Sequence, residues 1–252
     1  AAAAAAAAAA GFRYHEVAHD QLSDVSVSFS VKSAPEFART HAELRDSFLD
    51  TVIGMALDFR VHALRVSSPD PPFQGISWAF GSSGREGCAV NSLSVSARPR
   101  HWREAVRFAA REAQRIAAHG LTASELAQAT AALLNSMAQQ ATVNDALGSS
   151  SWMRRVMACV QDGDQLMDLA AKLEIVRGLS ESVTLAEVNR RAALLLSAIA
   201  DFRTPGRLPA AFLTRPLSDP AAADVTPEAL WEAVQAGVAE AAEAAPPPDV
   251  PS

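Results

Sequence analysis

Three times this chain places a threonine three residues ahead of a glutamate at the head of an apolar-periodic run: Thr40/Glu43, Thr122/Glu125 and Thr184/Glu187. Each is a capping box, in which the hydroxyl and the carboxylate satisfy backbone N–H groups that the first turn of a helix leaves open. The boxes fix where three helices begin. After Thr40, Leu44, Phe48, Val52, Met55 and Phe59 share one helical face, and the prolines of "SSPDPPF" end the run. "HWREAVRFAAREAQRIAAHG" puts Trp102, Val106, Ala109, Ala113 and Ile116 on one face and stops at Gly120. "SSWMRRVMACVQDGDQLMDLAAKLEIVRGL" reads as a helix pair broken near Gly163, and "TPEALWEAVQAGVAEA" as a last helix with Pro227 in its first turn.

Strands have the other periodicity. "DVSVSFSVKS" alternates Val25, Val27, Phe29 and Val31 with Ser and Lys, the period of a half-buried strand. "FQGISWAF" and "AVNSLSVSA" flank the Gly-rich "GSSGREG", which predicts an antiparallel hairpin, and "LPAAFLTRPL" is a short final strand. The order strand, helix, hairpin, helices, strand predicts an α+β domain, an antiparallel sheet with helices packed on one face.

The ends differ from the middle. Residues 1–11 are an Ala-rich low-complexity segment without the organisation of a secretory signal, and 245–252 a Pro-rich tail. Between them, 12–217 reads as the domain and 218–244 as a linker with a terminal helix. Both ends read as cuts through a larger protein. A net charge of −6 argues against a nucleic-acid partner, which would meet a basic face. No run of eighteen apolar residues is free of charges, so the chain is expected to be soluble, with no membrane insertion. Cys88 and Cys159 lie far apart with no C-x-x-C and read as free thiols.

"RYHEVAHDQL" contains His15, Glu16 and His19 in the order H-E-x-x-H, which on a helix supplies two zinc ligands and a general base. The segment is too short for such a helix: Gly11 precedes it, and Asp20, Ser23 and Asp24 follow it before the alternation starts at Val25. The other histidines have no ligand spacing. The motif therefore reads as a decoy in a solvated lead-in to the first strand, with no metal site in the chain.

The order of elements, with "TASELAQATAALLNSMA" and "TLAEVNRRAALLLSAIADF", resembles the M16 (pitrilysin-type) metallopeptidase domain. "LDFRVHALRVSSPDPPF", "SGREGC", "HWREAVRFAAREAQRI" and "ADFRTPGRLPAAF" carry the resemblance from about Phe12 to about Leu217. Within the family it is closest to the non-catalytic second domain of members that work in the chloroplast stroma. The resemblance implies that zinc sits on an H-x-x-E-H helix with a distal glutamate. This chain contains no H-x-x-E-H, so zinc is expected in a preceding catalytic domain of the same polypeptide, and no cofactor here. Such domains wall a chamber that receives precursors, whose transit peptides are basic and poor in acidic residues. The alternative the resemblance allows is an inert scaffold subunit.

The family's C-terminal half also has an Arg and a Tyr that reach substrate. By resemblance Arg65 stands at the first position, and Phe73, which lacks a hydroxyl, near the second. From the residues alone, Arg65 is a cation favoured at a helix C-terminus and Phe73 a core ring; that reading is preferred. Arg85 and Glu86 either face a neighbouring domain or chamber or, as preferred, are solvated at a hairpin tip.

Overall fold

The structure, a computed structural model, describes residues 13–83, 86–142, 148–200, 202 and 209–243. Five strands form one sheet: β1 (Tyr14–His19), β2 (Val25–Ser33), β3 (Gly75–Ser83), β4 (Cys88–Ala97) and β5 (Ala210–Pro216), in the order β1-β5-β2-β4-β3. The described helices are α1 (His41–Ser67), α2 (Trp102–His119), α3 (Ala123–Thr142), α4 (Ser149–Asp162), α5 (Leu169–Ser182), α6 (Leu185–Ala200) and α7 (Pro227–Glu243).

Alternation decides which face of the sheet is covered. Val25, Val27 and Phe29 of β2, Leu93 and Val95 of β4 and Leu213 of β5 all point to the helix side and are buried. Their alternates Ser26, Ser28, Ser30, Ser92, Ser94 and Ser96 stay half-exposed, and the Ser94 hydroxyl meets that of Ser28 at 3.0 Å. β2–β4, β4–β3 and β2–β5 pair antiparallel. β1 pairs parallel with β5, so the sheet is mixed. The segment expected to be a solvated lead-in is therefore an edge strand. Six residues with only Val17 and Ala18 apolar in the middle carry no legible alternation. Their pairing partner also lies at the far end of the chain, beyond the reach of local pattern.

α1 is the hub of the helical layer, packing on β3, α3, α5 and α6. Being covered on more than one side, it buries Leu49, Ile53, Ala56 and Leu57 as well as Leu44, Phe48 and Val52. Met55 and Phe59, expected on its buried stripe, are only partly buried. α2 packs on the sheet side with Trp102, Val106, Ala109, Ala113 and Ile116 buried, as the pattern predicts. α7 lies along α2 so closely that a Cβ on Gly237 would stand 2.2 Å from the Arg107 carbonyl oxygen. Leu230, Val234 and Val238 of α7 belong to the same core as the strands, so the terminal helix is continuous with the domain.

All three threonines accept the backbone N–H of the glutamate three residues on, at 3.2 Å for Thr40 and 3.3 Å for Thr122 and Thr184. Glu43 and Glu125 close their boxes by accepting the N–H groups of Thr40 and Thr122, each at 2.8 Å. Glu125 also receives Arg60 of α1 in a bidentate pair, both contacts at 2.5 Å. At the third box both oxygens of Glu187 go to Arg45 of α1, at 2.7 Å. A third such pair joins Arg191 of α6 to Asp50 of α1 at 2.6 and 2.7 Å. The turn between α2 and α3 is tied to α6: Asn189 accepts from Leu121 N–H at 2.7 Å and donates to its carbonyl at 3.1 Å. Gly120 in that turn has φ +73°, and a Cβ there would meet Asn189 at 2.3 Å.

Thr40→Ala, Thr122→Ala and Thr184→Ala should each lower unfolding stability by about 1 kcal/mol, the usual worth of such a cap. Denaturant melts measure it. The Thr122 variant should lose more than the other two, because its loosened first turn also holds the glutamate that Arg60 grips.

Candidate functional site

HEVAH lies on β1. On a strand rising about 3.3 Å per residue, His15 and His19 share a face but stand about 13 Å apart. Two imidazoles on one zinc must converge, since each Zn–N bond is only about 2.0–2.1 Å. Glu16 is already engaged: Arg215 of β5 donates to it at 2.6 Å, and the Tyr14 hydroxyl donates at 3.3 Å. Burial, then the Glu16 charge, push the Tyr14 hydroxyl's pKa above its ordinary value. His19 Nδ1 accepts the Gln21 N–H at 3.0 Å. Among the described residues, no group of three or more His, Cys, Asp or Glu side chains could hold a metal ion. The residues present do not fit a zinc centre.

The other singled-out residues fall apart from one another. Arg65 is exposed in the last turn of α1. Phe73 is buried, its ring centroid 5.0 Å from that of Phe108. Arg85 lies outside the described residues, and Glu86 is exposed beside the β3–β4 hairpin.

Glu86 also lines a cleft of about 760 Å³. It opens where α1 leaves the ends of β3 and β4 uncovered. Small residues on α1, Ser47, Thr51 and Gly54, face Phe80 and Ser82 of β3 and Asn91 of β4 across it. Seven carboxylates line it among the described residues, and no Lys, Arg or His does. Glu43, Asp50 and Asp58 come from α1, spaced seven and eight residues apart, so that they stack along one side of the helix at two-turn intervals. Glu36 enters from the β2–α1 connection, and Asp162 and Asp164 from the end of α4.

Their partners differ. Glu43 accepts the N–H groups of Arg39 at 3.0 Å and Thr40 at 2.8 Å, and its pKa is lowered, first by the Thr40 side chain and then by these backbone N–H groups. Arg191 bonds Asp50 and also Glu36, at 2.8 Å. Burial nevertheless outweighs the Arg191 bond at Asp50 and raises its pKa, while the Arg191 guanidinium is held more firmly protonated, chiefly by Asp50. Asp164 accepts the Ala38 N–H at 2.9 Å, pinning the end of α4 to the wall. Asp58 has no such partner among the described residues; partial burial alone raises its pKa. The sequence signal for this cleft is the acidic spacing 43–50–58 on a predicted helix; the remaining carboxylates come from segments that only the fold brings together.

The pKa shifts carry opposite signs for stability. The Arg45 hydrogen bond lowers the pKa of Glu187 below its ordinary 4.5, so that contribution is present above that value and lost as pH falls through the folded-state value. The raised pKa of Asp58 means its ionised form disfavours the folded state at neutral pH, a cost relieved as pH falls through the raised value. In thermal melts at neutral pH, Glu187→Gln should lower the midpoint and Asp58→Asn should raise it slightly. Both differences should vanish well below the carboxylate range. A second expectation concerns metal: after dialysis against zinc, elemental analysis should find no stoichiometric ion, and His15→Ala should change nothing.

No family model matches the chain. The stromal processing peptidase of Arabidopsis thaliana is 30% identical over 241 residues, covering 92% of this chain and 19% of that protein. The chain spans between 16 and 19% of the length of the curated relatives it matches. Among solved structures, the first half of the periplasmic protease PqqL from Escherichia coli has a TM-score of 0.72 at 12% identity, covering 91% of this chain and 47% of that one. The peptidase M16 inactive domain from Pseudomonas fluorescens has a TM-score of 0.52 at 12% identity, covering 81% of this chain and 43% of that one. No described helix is long and apolar enough to cross a membrane. With homology to stromal processing peptidase over most of its length and the fold of those structures, this chain is an M16 peptidase-related domain.

Proposed function

We propose that the chain is a non-catalytic, chamber-forming domain of an M16 zinc metalloendopeptidase that processes imported precursors in the chloroplast stroma. The zinc would be held by a catalytic domain of the same polypeptide, and this domain would be residues 12–217 with the terminal helix packed onto it. The observation that carries the reading is the cleft lined by seven carboxylates and by no basic side chain among the described residues. A segment rich in Lys and Arg is drawn to such a concavity, because low-dielectric walls focus the field of like charges within it. Asp58 is available to it: among the described residues its carboxylate has no hydrogen-bond or ion-pair partner, and burial disfavours its charged form. Glu86 adds a carboxylate at the hairpin end of the same wall. Arg65 and Phe73 take structural parts in this reading, one at the helix end and one in the core.

Kinetics of the complete peptidase test this. Asp58→Lys combined with Asp162→Lys should raise KM for a Lys/Arg-rich precursor several-fold and leave kcat on a short neutral peptide unchanged. The effect should shrink as salt screens it, the Debye length falling to about 3 Å at 1 M. An unchanged, salt-insensitive KM would remove the cleft from the substrate path. A polypeptide that cleaves no precursor at all would move the protein to the scaffold alternative.

A further inference from the structure

α4 is amphipathic, yet none of its residues is buried. Met153, Met157 and Val160 recur at i, i+4 and i+7, so they form one stripe, and they are 62, 47 and 71% exposed. Leu166, just past the helix, is 43% exposed. The helix is not loosely held. The Arg155 guanidinium lies over the Trp152 ring, 5.1 Å from its centroid, and donates to the Met167 carbonyl. At its C-terminal end Gly163 turns with φ +72°, and its carbonyl accepts Arg39 Nε at 2.7 Å. The stripe is thus a fixed apolar surface, and contiguous exposed apolar surface marks an interface. Methionine suits such a surface, since its unbranched, polarisable side chain adapts to the shape opposite.

We propose that the Met153–Met157–Val160 face of α4 docks a companion domain carried on the same polypeptide. This rests on the reading of the chain as one domain of a longer peptidase. The same fold fills only 47% of the solved half of PqqL, so there it shares a polypeptide with at least as much chain again. The area favours a tethered partner over a second copy. A helix of 14 residues is about 21 Å long, and one stripe on it, matched with its twin, falls short of the roughly 1,200–2,000 Å² that stable dimers bury. A domain on the same chain needs less buried area, because the tether supplies a high effective concentration. Arg154, exposed beside the stripe, asks for a carboxylate at the rim of an otherwise aliphatic companion surface.

Thiol labelling tests the docking without reference to cleavage. Cys88 and Cys159 are replaced by Ser, and a single reporter is placed at Met157→Cys, or at Val66→Cys as a control on the exposed end of α1. A maleimide is reacted with the 252-residue chain, which carries a hydrophobic core of its own, and with the complete polypeptide. The two reporters should label equally fast in the isolated chain. In the complete polypeptide Met157→Cys should label roughly tenfold slower or more, since a docked thiol reacts only on local opening, while Val66→Cys stays fast. Equal rates for Met157→Cys in both forms overturn the proposal. So does protection in the isolated chain that grows with its concentration and is lost in Met153→Ser/Val160→Ser, because the stripe then pairs two copies. A polypeptide that protects the thiol but cleaves nothing supports the docking while defeating the peptidase reading. One that cleaves with the thiol unprotected defeats the docking alone.

Discussion

The helical layer depends on glutamates that serve two masters at once. Glu125 and Glu187 stand at the third residue after a capping threonine, where a carboxylate favours the positive end of the helix dipole. Each also receives an arginine of α1 in bidentate geometry, Arg60 and Arg45 respectively. The start of α3 and the start of α6 are therefore fixed to α1 by the same side chains that start them. Paired guanidinium and carboxylate groups hold angle as well as distance, which a point charge does not. Asp50 and Arg191 add a third contact of this kind, so α6 grips α1 at two levels. Such pairs add little stability when exposed. Their weight lies in setting the register of α1 against its neighbours, and the apolar core then closes around that register.

This dual use explains what the sequence discloses. A box of Thr and Glu three residues apart is local, and all three helix starts are where it puts them. The inward valines and Phe29 of β2 and the outward serines are local too. Two things were not legible. α1 carries an apolar stripe, but Leu49, Ile53 and Leu57 are buried on a second side, because the sheet and other helices enclose it. A helix so placed has little amphipathic contrast, and periodicity names only part of its buried surface. β1 was hidden for a different reason: it pairs parallel with β5 at the other end of the chain, and a six-residue edge strand has no repeat long enough to read.

The five residues HEVAH show how far a motif depends on its period. At 1.5 Å per residue and 3.6 residues per turn, positions 15 and 19 would be neighbours able to share an ion. At strand rise they are separated by about 13 Å, and the glutamate between them turns to the opposite face. There it meets Arg215, an ion pair that fastens the edge strand to its parallel neighbour. The letters are those of a zinc site, and the backbone makes them part of a sheet edge.

The acidic cleft follows from the same hub. Because α1 is held by α3 and α6, its remaining side is left to overhang the ends of β3 and β4. That side carries the small Ser47, Thr51 and Gly54 and the acids Glu43, Asp50 and Asp58, whose charged forms are costly to bury. The gap stays open and collects negative charge. Arg191 neutralises part of it at Asp50 and Glu36, on the side where α6 is anchored, and among the described residues Asp58 is left without an ion pair. A carboxylate that is partly desolvated and unpartnered lowers the stability of the fold that holds it. Asp58 carries that cost in the cleft that α1 leaves open at the ends of β3 and β4.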